Sequence, residues 1–296
     1  MRVHAVYRDL LAVPPGLPPA AFWSAFLRRC YKKHKAVFDG IVDAYGPELL
    51  GPNPLLNLTT YTGPICRAAI GRLVTAEPGA AEARCSQLLT ECWPEAWGAL
   101  PDCYLGTLFG LAPAAALHIG GRPGMLIGLE RFLPGDTPDP TATPEAAARR
   151  TYHLSDLAEM IPHEACHVAR ARLLGQHLAP THLPLLDLIM LEGTALWFTD
   201  ARLGRQTLLT FLPQQEWERH QANEAELLAA LRPHLGESGS AVFRRHFADG
   251  AAINGYYAGW AVCRRYLERQ ASDPVALTGL PSTAIWAGAG LEPPAA

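Results

Sequence analysis

Apolar residues recur at helical spacing through most of this chain, and the interruptions divide it into elements. Phe22, Phe26, Cys30, Val37 and Ile41 lie on or near one face, which predicts a long helix over 20–45. Residues 80–97 read as a second helix. Another runs from Leu157 to Leu174, closed by Gly175, with Ser155 or Asp156 placed to cap its start. In 181–204, Leu185, Leu188, Ile189, Glu192, Ala195, Leu196 and Thr199 keep helical spacing between Pro184 and Gly204. An amphipathic helix is expected over 215–231. A further one over 253–270 carries Tyr256, Trp260, Cys263 and Leu267 on one stripe. Strand character is confined to the first half. Val3 to Leu11 reads as a short strand, followed by a rigid Pro14, Pro15, Pro18, Pro19 connection. Tyr104 to Leu129 is the most strand-like stretch, with turns at Gly110–Pro113 and Gly120–Gly124. A Pro- and Gly-rich loop, Leu133 to Thr143, follows it. The pattern predicts a helix-dominated α+β chain. Residues 1–150 form a small strand-bearing lobe with edge strands near 104–129, and 151–285 form a helical lobe.

Composition narrows the class. A chain of 296 residues, 49% hydrophobic, is long enough to bury a large core, and 1–296 is read as a single unit with two lobes. The net charge of −3 comes from mixed signs without a basic stripe, so nucleic acid is not an expected partner. The longest apolar stretch, near Leu105 to Leu117, contains Gly and Pro and is too short to span a bilayer, and the N-terminus lacks the apolar core of a signal peptide. Seven scattered cysteines without a C-x-x-C pair read as reduced thiols, which predicts a cytoplasmic protein.

The chemistry is concentrated in His163-Glu164-Ala165-Cys166-His167, an H-E-x-x-H pattern. Residues i and i+4 share a helix face, so both imidazoles can reach one metal ion. Glu164, one step after the first ligand, is placed to polarise a water on that metal, the arrangement zinc metallopeptidases use. Pro162 either kinks the helix or stands in the first turn of a helix that begins there. Cys166 points off the His face, and packing is its expected role. A catalytic zinc needs a third protein ligand. Glu192 lies in an otherwise apolar stripe, where a carboxylate is costly unless it is paired or binds metal. The short connection between the two helices brings it toward the histidines. It is therefore the third ligand or the partner of an arginine such as Arg170 or Arg172.

These residues resemble a known group. H-E-x-x-H followed by a Glu on the next long helix looks like the gluzincin clan of zinc peptidases, and Leu191-Glu192-Gly193-Thr194-Ala195 resembles the E-G-x-A stretch of several of its branches. The closer resemblance is to a bacterial family of predicted Zn-dependent proteases catalogued as a domain of unknown function. Three stretches carry it: His163 to His167 with Glu192-Gly193; Gly255-Tyr256-Tyr257-Ala258-Gly259-Trp260; and Leu117-His118-Ile119-Gly120-Gly121 through Met125 to Glu130. The first hundred residues carry no such likeness. Trp260 stands where the family more often has Tyr. Leu196 stands where some gluzincins place an acid that supports a metal-bound His, which leaves Asp156, Asp187, Asp200 and backbone carbonyls as possible supports.

The resemblance implies a zincin-like two-lobed fold with the metal in the cleft, and an edge strand near 117–129 that pairs with extended substrate. The expected activity is zinc-dependent hydrolysis of a peptide or protein substrate. Zn²⁺ would be held by His163, His167 and Glu192, with Glu164 as general base. Tyr256, or Tyr257 in its place, would donate to the oxyanion. The rival readings are a metal-containing protein that binds a partner on a peptidase-like fold without catalysis, and a zinc hydrolase of a non-peptide bond.

Overall fold

The computed structural model describes residues 2–135, 152–207, 212–248 and 254–292. Of the expected Pro-rich loop, 136–143 lie outside the described residues. Helices dominate, with a small sheet, and no described helix is long and apolar enough to cross a membrane. All seven cysteines are free and buried. The chain forms two compact units, Met1–Trp93 with Ala99–Ile161, and Pro94–Gly98 with Pro162–Ala296.

The first unit holds a four-stranded sheet of β1 (Val3–Ala5), β2 (Cys103–Gly106), β3 (Ala114–Ile119) and β4 (Arg122–Gly128), in the order β1-β2-β4-β3. β1 and β2, and β2 and β4, pair in parallel; β3 and β4 form an antiparallel hairpin. Gly120 and Gly121 close that hairpin at φ 60° and 77°, a turn that suits residues without a Cβ. Within 117–129, only the β3 part lies at a sheet edge. β4 is flanked on both sides and has no free edge to offer a peptide. A helix covers part of β3 as well, since a Cβ on Gly40 would stand 2.6 Å from the His118 carbonyl oxygen.

Four boundaries differ from the sequence pattern. The helix expected over 80–97 ends at Cys92, where Trp93 turns extended, and Glu95–Trp97 is a separate 3-10 turn. The expected strand over Val3 to Leu11 is strand only to Ala5, then helix from Val6 to Leu11. Val6, Tyr7 and Leu10 are its buried residues, a helical spacing that overrides the β-branched start. The long helix over 20–45 is instead Pro19–Phe26, a π turn at Leu27–Tyr31 and a helix over Lys35–Leu50. The Lys32, Lys33, Lys35 run falls at the break. Residues 215–231 form two helices, Gln214–Ala222 and Glu224–Leu231, because Asn223 leaves helical geometry at φ −120° and ψ 28°.

The second unit is helical. The helix carrying the H-E-x-x-H pattern runs Leu157–Leu174, starting in the first unit and continuing through Pro162, which therefore neither begins it nor ends it. Gly175 stands just past its end at φ 63°. The helix carrying Glu192 runs Leu185–Leu203 and ends on left-handed Gly204. Its first turn is capped by backbone: the N–H groups of Leu185 and Leu186 donate to the carbonyls of Glu237 and Leu235 at 2.8 and 3.0 Å.

The helix Gly255–Gln270 crosses the Glu192 helix at glycines. A Cβ on Gly193 would overlap the Gly259 carbonyl, and a Cβ on Gly259 would overlap the Ile189 carbonyl. Only hydrogen at both positions lets the two backbones come this close. Beside the crossing, Trp197 stacks on Trp260 with ring centroids 5.7 Å apart and donates from Nε1 to the Trp260 carbonyl at 2.8 Å. Leu188, Ile189, Val262, Ile285 and Trp286 belong to the core these helices enclose.

Candidate metal centre

Two imidazoles and one carboxylate meet inside the helical unit. His163 and His167, one turn apart on the helix Leu157–Leu174, have ring centroids 4.6 Å apart with the rings nearly perpendicular at 86°. Both present Nε2 to Glu192. His163 Nε2 lies 3.1 Å from Glu192 Oε2, and His167 Nε2 lies 3.6 Å from Oε1. The three donor atoms fall within 4.8 Å of one another. Both histidines are buried at 4% and 6% exposure, while the Glu192 side chain keeps 17%.

Among the described residues no ion pair joins Glu192 to an arginine. Arg170, the alternative that the pattern left open, is fully buried and turned elsewhere. Its guanidinium donates to the carbonyls of Thr278 and Leu280 at 3.2 and 2.8 Å and to Ser282 Oγ at 2.9 Å. Among the described residues the ion-pair partners of Glu192 are the two imidazoles. Burial drives the His167 pKa down to about 3, with His163 and Arg170 acting the same way and Glu192 opposing. Burial by itself would raise the Glu192 carboxyl, but His167 and His163 outweigh it and leave its pKa below the usual value. At neutral pH a carboxylate therefore faces a neutral His167.

This donor set suits a divalent cation. Ligand atoms placed tetrahedrally about 2.0–2.1 Å from zinc stand about 3.3–3.4 Å apart. The two His-to-carboxylate separations, 3.1 and 3.6 Å, bracket that value. Two histidines and a glutamate also match the three-ligand pattern that leaves a fourth position open for water.

Solvent reaches this part of the helices at particular residues. Between Ile161 and Arg170 every residue is buried except Glu164, and between Leu188 and Leu196 every residue is buried except Glu192. Over Gly255–Cys263 the exception is Tyr256. Tyr256 packs its ring edge-on to Phe247 at 5.3 Å. It stands one turn before Gly259, whose backbone lies against Gly193, the neighbour of Glu192. Tyr257 is engaged elsewhere: it is fully buried, and its hydroxyl donates to Glu224 at 2.9 Å, beside Arg264 and Arg265. Burial and that carboxylate raise its pKa well above the ordinary phenol value.

The other residues singled out in the sequence take supporting places. Cys166 is buried, its Sγ 3.4 Å from Thr278 Oγ1, and burial pushes its thiol up to about 11, so it packs as expected. Asp156 accepts the His153 backbone N–H at 2.8 Å and caps the turn before the motif helix. Asp200 accepts from the Thr207 backbone and hydroxyl at 2.6 and 2.7 Å, which ties down the loop after its own helix. Leu196 belongs to a cluster with Leu212, Tyr257 and Trp260. Asp187 accepts a hydrogen bond from Ser282. The Nδ1 of His167 is buried without a hydrogen-bond partner among the described residues. The Arg170–Ser282–Asp187 chain went unread in the sequence. Its available signal was a charged residue, Arg170, inside a buried helix three positions after His167.

Fold and site together define a helical candidate mononuclear metal centre of the His-His-Glu type. Residues 146–287 match the model of the family described as Predicted Zn-dependent protease (DUF2268), the family that the motifs of this chain resemble. The match takes in the H-E-x-x-H, Glu192-Gly193 and Gly255–Trp260 stretches; the 117–130 stretch lies outside it. No curated protein and no solved structure matches the chain.

Proposed function

We propose that this chain is a zinc-dependent peptidase on a zincin-like fold, acting on a peptide or protein substrate. The observation that carries the reading is the His163, His167 and Glu192 cluster, whose donor atoms lie within 4.8 Å of one another while the adjacent Glu164 is only partly buried. His163, His167 and Glu192 would hold the zinc ion, which would supply Lewis-acid polarisation of a water and of the substrate carbonyl. Glu164 accepts the proton of the attacking water on its carboxylate and passes it to the leaving amine. A metal with a purely structural role needs no such base, which disfavours the non-catalytic alternative. The Tyr256 hydroxyl donates a hydrogen bond to the oxyanion as the carbonyl becomes tetrahedral. Tyr257 is disfavoured for that role because Glu224 holds its hydroxyl.

The test is cleavage of a peptide library by the zinc-loaded chain and two variants. Glu164→Gln is expected to keep zinc and to lose about 100- to 10,000-fold in turnover. Tyr256→Phe is expected to lower kcat by roughly 100-fold while leaving KM nearly unchanged. A Glu164→Gln variant that cleaves normally rejects the mechanism. A silent Tyr256→Phe removes only that residue from it.

A further inference from the structure

The two helices that carry the metal ligands are joined by a buried polar chain supplied from a third place in the sequence. Arg170 stands three residues after His167 on the motif helix. Asp187 stands five residues before Glu192 on the other helix. Ser282 lies between them: its Oγ accepts from Arg170 Nη2 at 2.9 Å and donates to Asp187 Oδ1. The same guanidinium holds the Thr278 and Leu280 carbonyls, so it clamps the whole 278–282 segment. Thr278 also meets Cys166, inside the H-E-x-x-H stretch itself, with its Oγ1 3.4 Å from the thiol. Arg170 and Thr278 are fully buried and Ser282 is 6% exposed.

A buried guanidinium is costly unless its charge is answered, and among the described residues no carboxylate touches it directly. The answering charge, Asp187, reaches it through one hydroxyl. A hydroxyl can do this, since one oxygen accepts from the cation and donates to the anion at once. The link therefore pins the relative register of the two ligand-bearing helices. At zinc-ligand spacing, a shift of a few tenths of an ångström between them changes how well His163, His167 and Glu192 close on one ion.

We propose that Ser282 is a positioning residue for the metal centre, holding the Glu192 helix to the His163–His167 helix through Arg170 and Asp187. The proposal rests on the zinc reading above. The residue would act on metal affinity and coordination, since Ser282 is neither a ligand nor a group in contact with substrate.

The test compares the full chain with Ser282→Ala, Ser282→Thr and Asp187→Asn. The readouts are zinc affinity by chelator competition, the visible absorption of the cobalt-substituted protein, and circular dichroism as a check of fold. Ser282→Ala is expected to stay helical, to bind zinc at least about tenfold more weakly and to alter the cobalt spectrum. Ser282→Thr restores the hydroxyl and is expected to recover both. Should Ser282→Ala fail to fold, Asp187→Asn carries the test: it keeps the acceptor shape, removes the charge, and is expected to weaken zinc binding in the same direction. Unchanged affinity and an unchanged cobalt spectrum in a folded Ser282→Ala, or in Asp187→Asn when it alone folds, overturn the proposal and leave the peptidase reading standing. Failure of the unaltered chain to bind zinc overturns both.

Discussion

Glu192 and Glu224 are two carboxylates in the same helical unit, nearly equally sheltered, with very different company. Glu224, at 11% side-chain exposure, takes hydrogen bonds from Arg264, Arg265 and the Tyr257 hydroxyl, and both arginines lie within 3 Å. Its negative charge is answered by the chain's own fixed cations. Glu192, at 17%, is met by two imidazoles, of which His167 is neutral at pH 7. Its partners are two titratable imidazoles rather than fixed cations. One site is electrostatically complete as the sequence folds. The other is a carboxylate facing two imidazole nitrogens, a donor set that a metal cation can complete.

The sharpest way to break this contrast is to neutralise each carboxylate in turn. Glu192→Gln is expected to weaken zinc binding by more than about 100-fold, since loss of a ligand should exceed the loss of an outer partner. Glu224→Gln is expected to leave zinc affinity unchanged and to lower stability by roughly 2–3 kcal/mol, less than a fully buried pair because its arginines are partly exposed. Chelator competition and urea titration on both variants check this. Equal effects on zinc affinity would erase the distinction.

A pH series of the chelated chain sharpens it. His167 holds a pKa of about 3 in the fold against an ordinary 6.5. Between those values the unfolded chain binds a proton that the folded chain does not. The His167 contribution to stability is therefore fully present above about pH 6.5 and declines as pH falls toward 3, by at most about 1.4 kcal/mol per unit. His167→Gln is expected to flatten that slope in urea titrations. A slope unchanged in the variant would show that the histidine is not buried as described.

The smallest effect concerns how the ligand helix is seated. Gly259→Ala places a methyl group against the Ile189 carbonyl and forces the two helices apart, at an expected cost of about 1–3 kcal/mol in thermal or urea unfolding. At Gly236 a Cβ would meet nothing within 4 Å, so Gly236→Ala is expected to change stability by less than about 0.5 kcal/mol. A neutral Gly259→Ala would mean that the crossing does not need its glycines.

The sequence was most legible where one helix carries its own signals. The helix Leu157–Leu174 has the bounds that its apolar spacing and Gly175 predict. Glu192 was found because a carboxylate stood out in an apolar stripe that itself indicated a helix. The general character of a helix-dominated α+β chain with a small sheet was legible for the same reason. Breaks inside helical patterns were not. The π turn at Leu27–Tyr31 and the non-helical Asn223 leave hydrophobic spacing nearly intact while the backbone departs from it. Contacts between distant segments were illegible too. The Arg170–Ser282–Asp187 chain joins residues about a hundred positions apart, and no periodicity reports such a meeting. The Gly193–Gly259 crossing lies between. Both glycines were noticed as parts of family-like motifs, but the reason for them emerges only when the two backbones are seen in contact.

The most direct test of the central claim is the metal content of the purified full chain by elemental mass spectrometry. The account predicts close to one zinc per chain, and none retained by a folded Glu192→Gln variant under the same washing. A full chain that carries no metal even after zinc is supplied would contradict it, and the His163, His167 and Glu192 cluster would then be a buried polar site without a cation.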